Sequence, residues 1–228
     1  MESGTSVSRI SIQVSLSGFS FTVSDGAGVR RSPWLSAEKI FTTTEFQKRY
    51  DSVEVSLLTP KFTLVPGSFF NEASARETLA AVAPLRDGDE VSHIGIPSIG
   101  AELIYSNSLD ESLSRVIPQI VLCKDGSVAP VLPEVYYLLR SLDACPEYNK
   151  IMASWKDGWL HLVIAEGRSL SLCNAFKAAD FTTAEYFIFL CLKQLQLNPE
   201  MSSIFFRTDI SPKEEMSLYN YFKAVGRI

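Results

Sequence analysis

Ile10-Ser11-Ile12-Gln13-Val14-Ser15-Leu16-Ser17-Gly18-Phe19-Ser20-Phe21-Thr22-Val23 is a pair of alternating apolar runs joined at a glycine. Ile10, Ile12 and Val14 point one way, and Ser11, Gln13 and Ser15 the other, which is the period of a half-buried strand. Phe19, Phe21 and Val23 repeat the pattern on the return. Gly18 takes the backbone conformation that a tight hairpin turn needs. A second pair lies far downstream: residues 159–164 run to a turn at Glu166-Gly167 and return over 170–173.

Outward from the first hairpin, the polar stretch 24–31 reads as a loop and 34–40 as a third strand. Then comes Phe41-Thr42-Thr43-Thr44-Glu45-Phe46, which returns near the other end as Phe181-Thr182-Thr183-Ala184-Glu185-Tyr186. Thr42 with Glu45, and Thr182 with Glu185, have the spacing of a capping box, in which the hydroxyl caps an exposed amide and the carboxylate reaches back. Helices over 43–50 and 184–195 are expected, and the two Thr-Thr-x-Glu segments read as helix starts rather than paired catalytic acids.

Strands are expected over 53–57, 61–65, 93–96, 102–105, 117–123, 151–154, 174–178 and 203–207. Helical patterns cover 71–83, 107–115 and 129–142, the last with Pro130 and Pro133 in its first turn. Ser211-Pro212-Lys213-Glu214 opens a final helix. Both halves read hairpin, third strand, helix, strand, helix. The expectation is two subdomains, 1–147 (including the extra strands and helix of 93–142) and 148–228.

Of the 228 residues, 46% are apolar and 21% charged, a composition that folds rather than one that stays disordered. The net charge of −5, with no run of Lys or Arg, excludes the electrostatic footprint of a nucleic-acid binder. The most apolar stretch, 186–192, is too short to span a bilayer, and the first residues lack the pattern of a secretion signal. A cytoplasmic address without membrane insertion is the expectation. Cys123, Cys145, Cys173 and Cys191 are widely spaced, with no pair at metal-ligand spacing.

The residues offer little chemistry. His93 and His161 alternate with apolar neighbours and read as strand-face residues, so no metal site is expected. There is no G-x-S-x-G elbow, Walker A loop or G-x-G-x-x-G fingerprint. Asp87, Asp89-Glu90 and Asp110-Glu111 fall in polar stretches and read as solvated loops.

The order of elements resembles the actin-like ATPase superfamily, an α/β fold made by duplicating a ribonuclease-H-like unit. Residues 10–21, 62–66 and 159–176 also resemble a Bacteroidetes family of unknown function with a degenerate version of that fold. The resemblance implies nucleotide phosphates and Mg²⁺ held between the halves by hairpin turns, each with an Asp two residues before its Gly. Here Leu16 stands two before Gly18, between Ser15 and Ser17, and Ala165 stands two before Gly167, with Glu166 and Arg168 on either side of the glycine. Serine lacks the charge to hold hydrated Mg²⁺, and little chain follows for an adenosine loop. The resemblance thus points to a non-catalytic scaffold or adaptor that binds another protein and takes no cofactor. Phe69-Phe70 and Tyr136-Tyr137 read as exposed aromatic contact points. The alternative is a divergent ATP- and Mg²⁺-binding protein with phosphate donors at Ser17, Gly18, Ser20, Gly167 and Ser169.

Overall fold

The computed structural model describes residues 7–108 and 113–228, so Asp110, Glu111 and part of the helix expected over 107–115 lie outside the described residues. In chain order the elements are β1 (Arg9–Val14), β2 (Gly18–Asp25), β3 (Gly28–Arg31), β4 (Leu35–Ser36), β5 (Ser52–Leu57) and β6 (Phe62–Pro66). Next come α1 (Ala75–Ala80), β7 (Ser92–Ile96), β8 (Ala101–Tyr105), α2 (Leu113–Ile120), β9 (Val131–Pro133) and α3 (Glu134–Ala144). The chain closes with β10 (Asn149–Lys156), β11 (Trp159–Glu166), β12 (Ser169–Lys177), α4 (Phe181–Gln194), β13 (Ser203–Phe206), α5 (Pro212–Tyr219) and β14 (Ala224–Arg227). Two compact units result, one from the described residues of 1–59 and 107–133, the other from 60–106 and 134–228. The division expected at 147/148 falls inside the second unit, because α3 packs on β10 and β11.

The first unit is a mixed sheet in the order β3-β2-β1-β5-β9, with β4 also on β2. β1 runs antiparallel to β2 and parallel to β5. Ile10, Ile12, Val14 and Phe19 pack with Phe46, Tyr50, Ile117 and Val121. The turn into β2 is closed by the Ser15 amide donating to the Gly18 carbonyl (2.9 Å). Gly18 has φ +152°, and a Cβ there would stand 1.9 Å from the Leu35 carbonyl oxygen. No side chain fits between β2 and β4 at this point.

Three expectations change here. The third strand is not 34–40, of which Ala37–Phe41 is a 3-10 turn. It is β3, inside the stretch read as a loop, and all four of its residues are exposed, so no apolar alternation marks it. Asp25 nucleates its turn by accepting from the Ala27 amide (2.9 Å) and from Arg30 (2.7 Å). Residues 113–120 are helical where 117–123 reads as a strand. The β-branched run suggests extension, but Ile117 and Val121, four apart, are both wholly buried, and the Val121 amide donates to the Ile117 carbonyl. Residues 129–142 are not one helix: Val131–Pro133 pairs in parallel with β5, and α3 begins only at Glu134.

The second unit holds a five-stranded sheet, β12-β11-β10-β13-β14, and a three-stranded antiparallel sheet, β6-β8-β7. β10 is antiparallel to β11 and parallel to β13, the same pairing that β1 makes. The two five-strand orders correspond strand for strand, so the duplicated plan is present. Its partners in the second copy are β10, β11 and β12; residues 174–178 are not a separate strand, because β12 runs on to Lys177. Ile151, Leu160, Leu162 and Ile204 face Phe181, Ile188 and Leu192 of α4 and Leu218 of α5. Leu79 of α1 covers the smaller sheet at Ile104.

The two Thr-Thr-x-Glu segments are not capping boxes. In the first, the Thr42 and Thr43 hydroxyls donate backward to the Lys39 carbonyl (3.2 and 2.8 Å), and only a 3-10 turn, Thr44–Gln47, follows. Phe46, inserted between Phe19 and Phe21 (ring centroids 5.1 and 5.6 Å apart), fixes this segment by packing. In the second, the cap is Asp180, which accepts from the Thr183 amide (2.7 Å) and hydroxyl (2.9 Å). The helix expected to open at Ser211-Pro212-Lys213-Glu214 does so, and there Ser211 and Glu214 form a full capping box.

Gly18→Ala is expected to destabilise the protein by about 3 kcal/mol or more in urea denaturation, since the new methyl meets backbone rather than a side chain that can turn away. Asp180→Ala lowers the thermal midpoint at neutral pH, whereas Thr182→Ala leaves it unchanged. The Thr183 amide and hydroxyl hold the Asp180 carboxyl below its ordinary value. Its contribution is therefore complete above about pH 4 and is lost as the pH falls through the depressed value, so the wild type and Asp180→Ala midpoints converge in acid.

Candidate functional site

A strand at the end of a sheet has a neighbour on one side only, and its other side presents N–H and C=O groups outward. In the second unit two such edges line one hollow. β12 ends the five-stranded order and β6 ends the three-stranded order. Between them is a groove of about 710 Å³, walled by 60–64, by 170–175, and by Trp159 and Val82-Ala83-Pro84. Leu64 and Leu170 continue into a second hollow with Pro66 and Ile99, where Arg168 stands.

The groove walls are held from behind. Lys61 pairs with Asp89 (2.5 Å), and Arg76 donates to the carbonyls of Asp89 and Arg86, tying the segment after α1 to the start of β6. Asp89 is therefore buried, not solvated as its polar surroundings suggest. Burial raises its carboxyl pKa, but Lys61 and the Arg86 amide outweigh burial and hold it below the ordinary range. Phe62 stacks on His161 (6.1 Å between centroids), placing β6 against β11.

His161 is wholly buried, opposite Ser154 on β10. Ser154 donates to Glu134 (2.6 Å), and Arg207 pairs with the other Glu134 oxygen (2.5 Å) and lies over the Tyr137 ring (4.5 Å). Tyr137 is thus part of the interior, not an exposed contact; Phe69 is 79% exposed. Ser154, His161 and Glu134 are each without solvent access, and the Ser154–Glu134–Arg207 contacts hold α3 to the sheet. His93 lies on β7 beside Glu102 (3.3 Å) and Phe70 (ring centroids 4.6 Å). Among the described residues no three His, Cys, Asp or Glu are grouped to hold a metal. Cys173 lines the groove, but burial pushes its thiol up to about 12, far from a thiolate at neutral pH.

The residues considered for phosphate binding fall in two turns. Ser17 and Gly18 share the β1–β2 turn and Ser20 follows in β2 opposite Gln13. The Ser17 hydroxyl already accepts from the Trp34 indole (3.0 Å) and its amide donates to Ser15 (3.3 Å). Gly167 and Ser169 belong to the β11–β12 turn, whose counterpart in the first unit is the β2–β3 turn at Asp25 and Gly28. The counterpart of Gly18 is instead Gly158, in the β10–β11 turn. Asp157 (φ +50°) and Gly158 (φ +76°) both take left-handed backbone there. Asp-Gly is the strongest short-range hairpin signal in a sequence, and it marks this turn better than Glu166-Gly167 does. Lys156 stands two before Gly158, a cation where a Mg²⁺-holding acid is expected.

Comparison with known proteins agrees with this architecture. A crystal structure from Bacteroides thetaiotaomicron, of a protein with an actin-like ATPase fold and unknown function, superposes with a TM-score of 0.68 at 18% identity, over 98% of this chain and 91% of that one. The PilM–PilN type IV pilus biogenesis complex superposes with a TM-score of 0.54 at 12% identity, over 96% of this chain and 88% of that one. The fold is the actin-like ATPase fold, a duplicated ribonuclease-H-like plan of two mixed sheets. No curated protein is significantly similar in sequence. The model of the family described as a protein of unknown function, DUF3822, matches residues 3–225, and the chain belongs to that family.

Proposed function

We propose that the protein is a non-catalytic scaffold of actin-like fold that binds another protein by taking up an extended segment of it in the groove between β6 and β12. One observation carries the reading: two sheet edges border a single hollow whose lining mixes apolar side chains such as Phe62, Leu64, Leu170 and Leu172 with polar ones. An extended chain laid on such an edge gains main-chain hydrogen bonds from the strand and side-chain contacts from the wall. The Asn174 side chain caps the Ala175 amide (2.8 Å), so that amide is outside the β11–β12 ladder and a bound strand would take over the bond. One solved structure of this fold, PilM–PilN, is itself a complex between proteins.

The same reading places the protein in the cytoplasm as a platform. Among the described residues no helix is long and apolar enough to cross a membrane. It also assigns no role to ATP or Mg²⁺.

A photo-crosslinking amino acid at Thr63 or Ser171, in the groove walls, should trap one discrete polypeptide in the cells that make the protein. The same probe at Val29 on exposed β3 should not. Matching adducts from all three positions would sink the proposal. In a thermal-shift titration ATP·Mg²⁺ should leave the midpoint within about 1 °C, whereas saturable stabilisation at micromolar ATP would overturn the non-catalytic reading.

A further inference from the structure

We infer that the segment held by the groove carries an acidic side chain that pairs with Arg168. The inference rests on the groove being a peptide site and adds the charge and location of one residue of the occupant. Arg168 is exposed just past Gly167, at the start of β12, and it lines both hollows that prolong the groove. The other cations of the lining are already engaged. Lys61 pairs with Asp89, and Lys150 donates to the Leu142 carbonyl (2.7 Å). Among the described residues of the three hollows, Asp143 is the one carboxylate against these three cations.

Lys61 is balanced by Asp89, so on a chain of net charge −5 the cation of the lining that faces outward is Arg168. A basic partner is offered Asp143 and the Glu166 carboxylate, the latter already engaged by the Ser171 hydroxyl (3.2 Å). An acidic one finds its one favourable point at Arg168, whose planar fork accepts a carboxylate through two parallel hydrogen bonds. From Arg168 to Ala175 a strand spans about 23 Å at roughly 3.3 Å per residue. The occupant is therefore a segment of about eight residues, apolar at alternate positions, with its Asp or Glu near one end.

The test pans a random twelve-residue phage-display library on the full chain, then measures Kd of synthetic, fluorescein-labelled winners by anisotropy. The expected winners share an Asp or Glu at a fixed distance from alternating apolar residues. Arg168→Glu should weaken them about tenfold or more, in line with loss of a charge-assisted pair. Changing the peptide's acid to Lys should restore binding to the Arg168→Glu protein. Ala175→Pro should abolish binding while the circular dichroism spectrum stays unchanged, because proline is tolerated where a strand amide lies outside the ladder. Ser171→Trp, filling the groove from its wall, replaces that control if the proline disturbs the fold.

Winners that need the Ala175 edge yet ignore Arg168→Glu overturn the acidic assignment and leave the groove reading standing. Winners indifferent to Arg168, Ala175 and Ser171, or a selection with no winners, overturn both. A concentration-dependent dimer in sedimentation velocity that Ala175→Pro abolishes gives the edge to a second copy of the chain and likewise overturns the assignment.

Discussion

Each large sheet depends on one strand that is paired antiparallel on one side and parallel on the other: β1 between β2 and β5, β10 between β11 and β13. Parallel neighbours require a crossover, and crossovers lay other elements over the sheet faces. Near the middle of such a sheet polar residues are buried with the apolar ones, although Arg9 of β1 is exposed and Ser11 half-buried. Ser56 beside β1 and Ser154 on β10 are wholly buried for this reason. In the second unit the consequence is a polar network, in which Ser154 meets Glu134 and Glu134 meets Arg207. A buried carboxylate is tolerable only when it is paired and hydrogen-bonded. The position of α3 on the sheet therefore depends on the end of β13 reaching it with an arginine.

The apolar alternation made the central strands readable. Ile10, Ile12, Val14, Leu160 and Leu162 lie on core faces as their spacing requires. Three kinds of feature were not readable. β3 has four exposed residues and is held by a turn, so no pattern of burial marks it. α2 carries the β-branched Val116, Ile117 and Ile120, and the helical spacing shows only once Ile117 and the following Val121 are seen facing one core. The repeated Thr-Thr-x-Glu segments have capping spacing, but local competition decides their bonds: Phe46 is drawn into an aromatic cluster, and Asp180 reaches the helix amides first.

The candidate site was less readable than the fold. A groove between two strand edges is a property of sheet order, and sheet order is set by contacts far apart in the chain. Leu64 and Leu170 line the same groove from positions more than a hundred residues apart. Asp89 read as solvated because its neighbours are polar, and only Lys61, 28 residues away, makes it an interior group. Glu166-Gly167 reads as the turn of the second hairpin because its flanks are apolar, although Asp157-Gly158 is the turn that matches Gly18 in topology.

The chain passes between its two units at three points, near residues 59, 106 and 133. Neither unit is a continuous piece of sequence. On the ribosome, β1 to β5 emerge long before β9, and the small β6-β8-β7 sheet emerges before any strand of the sheet it accompanies. Domains fold as whole units during synthesis, and exposed strand edges in unfinished ones invite wrong pairing. The first unit is complete only when residue 133 has left the exit tunnel, and the second only once β14 has followed. Until β11 has emerged, Phe62 of β6 lacks the His161 ring it stacks on, and its protection in that interval falls to the nascent chain's own local contacts or to chaperones.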